Sequence, residues 1–234
     1  MADFSHTDAV ILAGGLGTRL RPVVSDRPKA LALVRGRPFL LYLLDWLASW
    51  GLERVVLCTG YLGGMVRQGL GKRHGPLRLA YSQEAEPLGT GGALRLALPL
   101  LDSETILVAN GDSYCPADLA ALWKAHQRIG AQATLALTVA ADSGRFGRVE
   151  VDAAGVVRAF TEKTPGGEPG LVNAGVYMLQ RSLLAGLPGG RALSLEREVF
   201  PQLIGRGLYG WPCGQGFLDI GTPESFALAQ EELA

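Results

Sequence analysis

Short apolar runs alternate with helical patterns through the first two thirds of the chain. The runs have the length of buried strands, and the segments between them repeat apolar side chains every three or four positions. The predicted strands lie at residues 9–12, 54–59, 77–81, 105–109 and 133–139, and the predicted helices at residues 38–50, 62–70, 90–99 and 116–129. This alternation predicts an α/β fold with a mainly parallel sheet and helices on both of its faces.

The pattern changes in the last third of the chain. Segments 147–152 and 156–162 flank the turn Asp152-Ala153-Ala154-Gly155 and predict an antiparallel hairpin. A strand at 171–179, a helix at 195–203, a strand at 208–212, the segment 217–222 and a terminal helix from Pro223 follow. Because no linker, repeat or low-complexity tract interrupts the chain, we expect residues 1–234 to form one domain with a small antiparallel portion.

Composition and charge narrow the classes of function. Hydrophobic residues make up 48% of the 234 residues, and 22 basic side chains balance 22 acidic ones. A neutral chain without a basic run has no electrostatic reason to bind nucleic acid. Since there is no secretory segment and no apolar run of about 18 residues, we expect no membrane association and a cytoplasmic location. The three cysteines lack CxxC spacing and are expected to be reduced and mostly packed.

A glycine-rich loop directly follows the first predicted strand and reads Gly14-Gly15-Leu16-Gly17-Thr18-Arg19-Leu20. Glycines let backbone N–H groups approach an anion, and a helix after such a loop would add its positive N-terminal end. Arg19 and Lys29 supply cations that can bind phosphate groups. Leu20 occupies the third glycine position of the dinucleotide fingerprint, and no Walker Gly-Lys-Ser/Thr follows. We therefore expect a site for nucleotide phosphates, with a plain turn as the alternative.

Carboxylates follow two of the other apolar runs. Asn110-Gly111-Asp112 ends the strand at 105–109, and Asp219 lies within the segment 217–222. Mg²⁺ is usually held by one or two carboxylates together with phosphate oxygens, so Asp112 and Asp219 predict a magnesium site. Each aspartate alone is equally well explained as a helix N-cap or a turn residue.

Two more polar segments stand at the ends of predicted strands. Glu162-Lys163 closes the hairpin, where exposed ions at the end of a sheet are the simpler explanation, and residues 84–93 form a second glycine-rich turn. The three histidines are scattered and no Gly-x-Ser-x-Gly element occurs, which disfavours a catalytic triad. Without a His/Cys cluster, a zinc site is disfavoured as well.

Taken together, these motifs resemble those of the sugar-phosphate nucleotidyltransferases. The family signature Gly-Gly-x-Gly-Thr-Arg-Leu, followed by Pro-Lys, is present at residues 14–20 and 28–29. The Leu-Gly-Thr-Gly/Ala-Gly, Gly-Asp, Glu-Lys and Asp-x-Gly-Thr-Pro elements follow in family order at residues 88–92, 111–112, 162–163 and 219–223. The resemblance covers nearly the whole chain. It implies a Rossmann-like fold of the nucleotide-diphospho-sugar transferase type, with a small antiparallel sugar-binding portion.

The resemblance also implies a role for each matching residue. The catalytic residues would be Arg19, Lys29 and Asp112, and Mg²⁺ would be held by Asp112 and Asp219. The sugar phosphate would meet Gly147, Glu162, Lys163 and Asn173. The nucleotide would meet Leu12, Ala13, Gly14, Gly15, Gly17, Thr18, Arg19, Glu84, Leu88, Gly89 and Thr90. In the family reaction, a sugar 1-phosphate oxygen attacks the α-phosphorus of a nucleoside triphosphate and pyrophosphate leaves, so no general base is needed.

Within this family, residues 20–29 and 38–40 look most like those of the D-glycero-α-D-manno-heptose 1-phosphate guanylyltransferases, which make GDP-heptose for surface polysaccharides. Glu84 favours GTP because a carboxylate can accept from both N1–H and the amino group of guanine, whereas uracil offers one such donor. Many relatives carry Pro-Lys-Pro-Met where this chain has Pro28-Lys29-Ala30-Leu31.

Several alternatives stay open at this point. They are a mannose-1-phosphate guanylyltransferase, an N-acetylmuramate or glucose 1-phosphate uridylyltransferase, a non-catalytic sugar-nucleotide sensor and, disfavoured by Leu20, a dinucleotide-dependent oxidoreductase. A homo-oligomer is also left open.

Overall fold

The computed structural model describes residues 3–140, 143, 146, 148–161, 168–214 and 216–233. Within them, ten strands form one mixed sheet, and two short two-stranded ladders flank it. The strands are β1 Asp8–Leu12, β2 Leu33–Val34, β3 Arg37–Pro38, β4 Arg54–Thr59, β5 Arg73–His74, β6 Leu77–Gln83, β7 Thr105–Asn110, β8 Ser113–Tyr114, β9 Ala133–Ala140, β10 Arg148–Val151, β11 Val157–Thr161, β12 Gly170–Gln180, β13 Leu208–Pro212 and β14 Leu218–Asp219. The helices are α1 Phe39–Ser49, α2 Gly63–Leu70, α3 Gly89–Ala97, α4 Leu119–Ile129, α5 Arg181–Ala185, α6 Phe200–Leu203 and α7 Pro223–Glu232.

Four neighbouring strands from the N-terminal half of the chain are parallel to one another, with the short β5 antiparallel at the edge. Strands β7, β1, β4 and β6 lie side by side, and Leu12 at the end of β1 faces both Cys58 of β4 and Asn110 of β7. The carboxyl ends of these strands therefore meet at one edge, which is where α/β proteins bind their ligands.

Most antiparallel pairs among the described strands involve the C-terminal half of the chain. The long strand β12 runs antiparallel to both β7 and β9, and β10 pairs antiparallel with β11, with Val149 opposite Phe160. The α/β class, the mainly parallel sheet flanked by helices and the predicted hairpin are confirmed. The antiparallel direction of β12 was not predicted, because apolar periodicity marks a strand without encoding its direction.

Helices cover both faces of the sheet, as predicted. Ala9 and Ile11 of β1 join one core cluster with α1, α4 and α7, while Val10 joins a second with α3, α5 and α6. Successive side chains of a strand point to opposite faces, so one buried strand serves both cores.

Several predicted boundaries shift. Helix α4 begins at Leu119 rather than residue 116 because Asp118 caps it, accepting from the Ala121 N–H. The predicted helix at 195–203 is a π-helical turn, Leu195–Val199, followed by the short α6. Of the segment 217–222, only Leu218–Asp219 is strand. In the part of the chain that the structure describes, no helix has the length and apolar character needed to cross a bilayer.

Candidate active site

A pocket of about 270 Å³ opens at the carboxyl ends of the parallel strands. Leu12 of β1, Cys58 of β4 and Asn110 of β7 contribute to its wall. The predicted residues that line it are Leu12, Ala13, Gly14, Gly15, Lys29, Glu84, Gly89, Thr90 and Asp112. Two segments far apart in the sequence, the glycine loop and the turn before α3, thus share one cavity with the Lys29 and Asp112 side chains.

No helix directly follows the glycine loop, and the next α-helix is the predicted one at residues 38–50, observed as α1. Residues 13–28, all of which the structure describes, contain turns instead: the Leu20 and Arg21 N–H groups both bond to the Gly17 carbonyl. Leu20 is 1% exposed and packs in the core, which explains a leucine at this position. The helix that presents its N-terminus to the pocket is α3, since Gly89 and Thr90 lie in its first turn.

Gly17, Thr18, Arg19 and Leu88 do not contribute to the wall of this pocket. The Arg19 guanidinium nevertheless lies near the Lys29 side chain, which lines the pocket. A Cβ atom on Gly221 would lie 3.5 Å from both Arg19 Nη2 and Lys29 Nζ. The two predicted catalytic cations therefore converge beside Asp219, two residues before Gly221.

The glycines of the second turn also have a packing role that the sequence did not reveal. Gly89 has a φ of +67°, and a Cβ on it would lie 2.7 Å from the Leu193 carbonyl oxygen. That same carbonyl accepts from the Gly91 and Gly92 N–H groups. Residues 191–195 can approach the start of α3 this closely only because side chains are missing there.

The Glu84 carboxylate lies between the two glycine-rich segments. Its Oε2 accepts from the Leu88 N–H at 3.1 Å, and its Oε1 would lie 2.8 Å from a Cβ on Gly14. Burial raises the pKa of Glu84, and the Leu88 hydrogen bond offsets only part of that effect. A pocket carboxylate whose burial is only partly offset by hydrogen bonds is suited to accept further hydrogen bonds from a ligand.

Lys29 and Asp112 form an ion pair in the pocket. Lys29 Nζ donates to Asp112 Oδ2 at 2.7 Å. Burial acts to raise the pKa of Asp112, but the Lys29 charge and the hydrogen bonds from Lys29 and Ser113 outweigh it and hold the pKa below its ordinary value. Asp112 is therefore ionised at neutral pH.

The second predicted metal ligand lies on the adjacent short ladder. Asp219 of β14 faces Ser113 of β8, and the Ile220 N–H donates to the Asp112 carbonyl at 2.9 Å. Asp219 Oδ2 accepts from the Gly221 N–H at 2.7 Å and from Ser225 Oγ at 3.2 Å. This ladder brings the backbones of the two aspartates side by side.

The donor set fits a hard cation that takes its other ligands from phosphate and water. Asp112 and Asp219 supply carboxylate oxygens, the ligand type that Mg²⁺ prefers, and Mg²⁺ commonly uses one or two of them. Among the described residues, no group of three or more His, Cys, Asp or Glu side chains is arranged to hold a metal ion.

Of the predicted sugar-phosphate residues, Gly147, Glu162 and Lys163 lie outside the described residues. Asn173 is in β12, where its Nδ2 donates to the Tyr177 hydroxyl at 2.9 Å and its Oδ1 accepts from the Gly175 N–H at 2.9 Å. Tyr177 and Glu196, which its hydroxyl also contacts, were not anticipated. The available signal was the polar pair Asn173 and Tyr177 within an otherwise apolar strand.

The cysteines are free thiols, with Cys58 and Cys115 buried as expected. Cys115 Sγ lies 3.0 Å from Cys213 Sγ, a proximity that their separation in the sequence did not suggest. Burial raises the pKa of Cys58 to about 12, so this pocket thiol is protonated at neutral pH.

Comparison with known proteins gives a consistent picture. A family model described as "Nucleotidyl transferase" matches residues 8–234. The mannose-1-phosphate guanylyltransferase of Mycobacterium tuberculosis is 39% identical over 97% of this chain, which spans 65% of that protein. The D-glycero-alpha-D-manno-heptose 1-phosphate guanylyltransferase of Aneurinibacillus thermoaerophilus is 36% identical over 97% of this chain and 98% of its own length.

Solved structures of HddC from Yersinia pseudotuberculosis share the fold over 97% of this chain and 100% of theirs. The first has a TM-score of 0.85 at 31% identity. The second, complexed with GMP-PN, has a TM-score of 0.84 at 30% identity.

Proposed function

Since the chain belongs to the nucleotidyl transferase family, we propose that it transfers GMP from GTP to a sugar 1-phosphate, D-glycero-α-D-manno-heptose 1-phosphate. The products are GDP-heptose, a precursor of surface polysaccharide, and pyrophosphate. The observation that carries this proposal is a single pocket lined both by Glu84 and by the Lys29–Asp112 pair. Glu84 can form hydrogen bonds with a base, and the Lys29–Asp112 pair can hold a triphosphate as it reacts.

The base is recognised by Glu84. Its carboxylate accepts from N1–H and the exocyclic amino group of guanine, whereas uracil presents one donor and leaves an acceptor unpaired. A buried acceptor left without a donor costs about 1–3 kcal/mol, enough to discriminate between bases. Leu12, Ala13 and Gly14 lie against the base, and Gly89 and Thr90 at the start of α3 complete the pocket. Leu88, the residue before α3, holds Glu84 in place through its N–H.

The triphosphate is bound by the glycine loop and the two cations. Gly15, Gly17 and Thr18 present backbone groups, while Arg19 and Lys29 stabilise charge that builds on the α-phosphate and pyrophosphate. Asp112 and Asp219 hold Mg²⁺, which neutralises phosphate charge when bound.

The chemical step is an in-line displacement at the α-phosphorus. A bond forms between the sugar-phosphate oxygen and the α-phosphorus as the bond to the bridging oxygen breaks, and pyrophosphate leaves with the electron pair. The nucleophile is already ionised at neutral pH, so this chain's residues act by positioning and by electrostatic stabilisation. Lys163 grips the sugar phosphate, and Gly147, Glu162 and Asn173 face the sugar.

Sequence resemblance supports heptose as the sugar. Residues 20–29 and 38–40 look most like those of the heptose enzymes, and the chain is 36% identical to the Aneurinibacillus heptose enzyme. Mannose 1-phosphate is the second candidate because the identity to the mycobacterial protein is 39%. We place the reaction in the cytoplasm, where GTP is made, and assign it to one domain.

A substrate panel tests the proposal. Four nucleoside triphosphates are each combined with Mg²⁺ and the 1-phosphates of heptose, mannose, glucose and N-acetylmuramate, and pyrophosphate release is followed. GTP with the heptose 1-phosphate is expected to give the highest kcat/KM. Faster turnover with UTP would overturn the assignment of the base, and no turnover with any pair would support a non-catalytic sensor instead.

A further inference from the structure

A buried polar junction lies where β7, β12 and the π-helical turn meet. At its centre is the hydroxyl of Tyr177, whose side chain is fully buried. The hydroxyl is contacted by Asn173 Nδ2 at 2.9 Å, and at a longer 3.4 Å by Asn110 Nδ2 and Glu196 Oε1. The reaction described above does not use Tyr177 or Glu196.

Donor and acceptor capacity at this junction favours one arrangement of protons, in which Asn110 Oδ1 has no partner among the described residues. A tyrosine hydroxyl donates one hydrogen bond and accepts two, and an ionised carboxylate only accepts. Burial, and then the nearby Glu196, raise the pKa of Tyr177 well above its ordinary value, so the hydroxyl keeps its proton. That proton points to Glu196, and both asparagines must therefore turn their NH₂ groups toward Tyr177.

The orientation of Asn173 follows from this. With its NH₂ group on Tyr177, its Oδ1 faces the Gly175 N–H at 2.9 Å. Gly175 has a φ of +75° and lies in the register irregularity of β12 between Asn173 and Tyr177. The local bulge and the tyrosine hydroxyl thus hold the amide from both ends, and Glu196 determines which way the hydroxyl points.

Glu196 also contacts the nucleotide side of the pocket. Its Oε2 accepts from Thr90 Oγ1 at 2.9 Å and from Ser194 Oγ at 3.1 Å. Thr90 Oγ1 in turn accepts from the Leu195 N–H at 2.8 Å. Thr90 lies in the first turn of α3 and lines the pocket, so one carboxylate bridges the nucleotide-binding turn and the strand that carries Asn173.

We infer that Glu196, acting through Tyr177, is a positioning residue that fixes the Asn173 amide for the sugar phosphate and ties it to Thr90 at the nucleotide. The role of Asn173 in this inference rests on the proposed function. The hydrogen bonds Thr90–Glu196–Tyr177–Asn173 thus connect the nucleotide side of the pocket to the Asn173 amide.

Two variants interrupt this series of hydrogen bonds at different points. Glu196→Gln replaces a carboxylate oxygen with an NH₂ group that can donate to the Tyr177 hydroxyl. The hydroxyl can then donate its own proton to an asparagine oxygen instead. This allows the Asn173 side-chain amide to rotate by 180°. Tyr177→Phe removes the junction while keeping the ring next to Phe200. Glu198→Gln is the matched control, because Glu198 is on the same turn but pairs with Arg191 and the Ser194 N–H.

The kinetic readout is a split between the two substrates. In Glu196→Gln and Tyr177→Phe, the KM for the sugar phosphate is expected to rise about tenfold, the worth of one ordinary hydrogen bond, while kcat and the KM for GTP stay within about twofold. Glu198→Gln should behave as wild type. An unchanged sugar-phosphate KM, or equal rises in both KM values, would overturn the inference.

A second readout needs no turnover. Exchange of the Gly175 amide hydrogen reports directly on Asn173 Oδ1, and it should speed up about tenfold in both variants, with the β12 amides beyond Tyr177 unchanged. The wild type could turn over no sugar phosphate while Gly175 exchange still speeds up in both variants. In that case the proposed function fails, but the role of Glu196 and Tyr177 in holding the Asn173 amide stands. If turnover is as proposed but Gly175 exchange matches wild type in both variants, the inference fails alone.

Discussion

Lys29 Nζ donates a hydrogen bond to Asp112 Oδ2 at 2.7 Å, although 83 residues separate them in the sequence. Only 11% of the Lys29 side chain is exposed, so its charge is held rather than free to sample solvent. The Lys29 charge holds the pKa of Asp112 below its ordinary value at the edge of the pocket. Removing one leaves an uncompensated charge in a partly dry site, which is more damaging than losing a surface pair.

Asp112→Asn should abolish metal-dependent turnover while preserving the fold. The substitution keeps the size of the side chain but removes both the charge that pairs with Lys29 and a carboxylate ligand. We expect pyrophosphate release to fall at least about 100-fold, while the protein still folds but with a lower thermal unfolding midpoint, because Lys29 loses its partner. Asp118→Asn is the matched control: Asp118 caps α4, and asparagine caps a helix equally well. Activity above a tenth of wild type in Asp112→Asn would show that the metal assignment is wrong.

Recognition of guanine should depend on pH through Glu84. Because burial raises its pKa, this carboxyl becomes protonated at a higher pH than an ordinary glutamate. A protonated Glu84 cannot accept from both guanine donors, so the KM for GTP should be lowest above that pKa and rise as the pH falls through it.

Steady-state kinetics from about pH 8 down to about pH 5 measure this dependence. Glu84→Gln should have a higher KM for GTP with a flatter profile, whereas Glu86→Gln, at an exposed position of the same turn, should follow wild type. Identical profiles for wild type and Glu84→Gln would remove Glu84 from base recognition.

Gly89→Ala should destabilise the protein and weaken nucleotide binding. The alanine would adopt a left-handed φ and place its Cβ 2.7 Å from the Leu193 carbonyl oxygen, costing about 2 kcal/mol or more. The displaced start of α3 should then raise the KM for GTP. In Gly64→Ala, a site in α2 where nothing lies within 4 Å, we expect unchanged or slightly increased stability. Denaturant unfolding of the two variants distinguishes them, and equal stabilities would contradict the packing role of Gly89.

Local pattern predicted much of this fold, because the buried strands are short apolar runs with clear breaks. Strands β1, β4 and β7 lie where the sequence indicated. Because they are parallel, their carboxyl ends meet at one edge of the sheet, and the site lies at that edge. The direction of β12 was not predictable from periodicity, since strand direction is decided by how the chain returns to the sheet. The absence of a helix after the glycine loop likewise follows from turns closed by the Gly17 carbonyl and from burial of Leu20.

Within the site, the motifs indicated single residues better than the partnerships between them. Lys29 and Asp112 were each visible in the sequence, but their ion pair depends on tertiary packing. The contact between Thr90 and Glu196 joins residues 106 positions apart and requires the close approach of Leu193 to α3. Such contacts carry no local signal, because neither side chain is unusual for its own element.

The most direct test of guanylyl transfer uses GTP labelled at a single phosphorus, incubated with the heptose 1-phosphate, Mg²⁺ and the wild-type protein. Label at the α-phosphorus should appear in GDP-heptose and none of it in pyrophosphate, while label at the γ-phosphorus should appear only in pyrophosphate. Transfer of the γ-label to the sugar phosphate, or retention of both labels in unreacted GTP, would contradict the account.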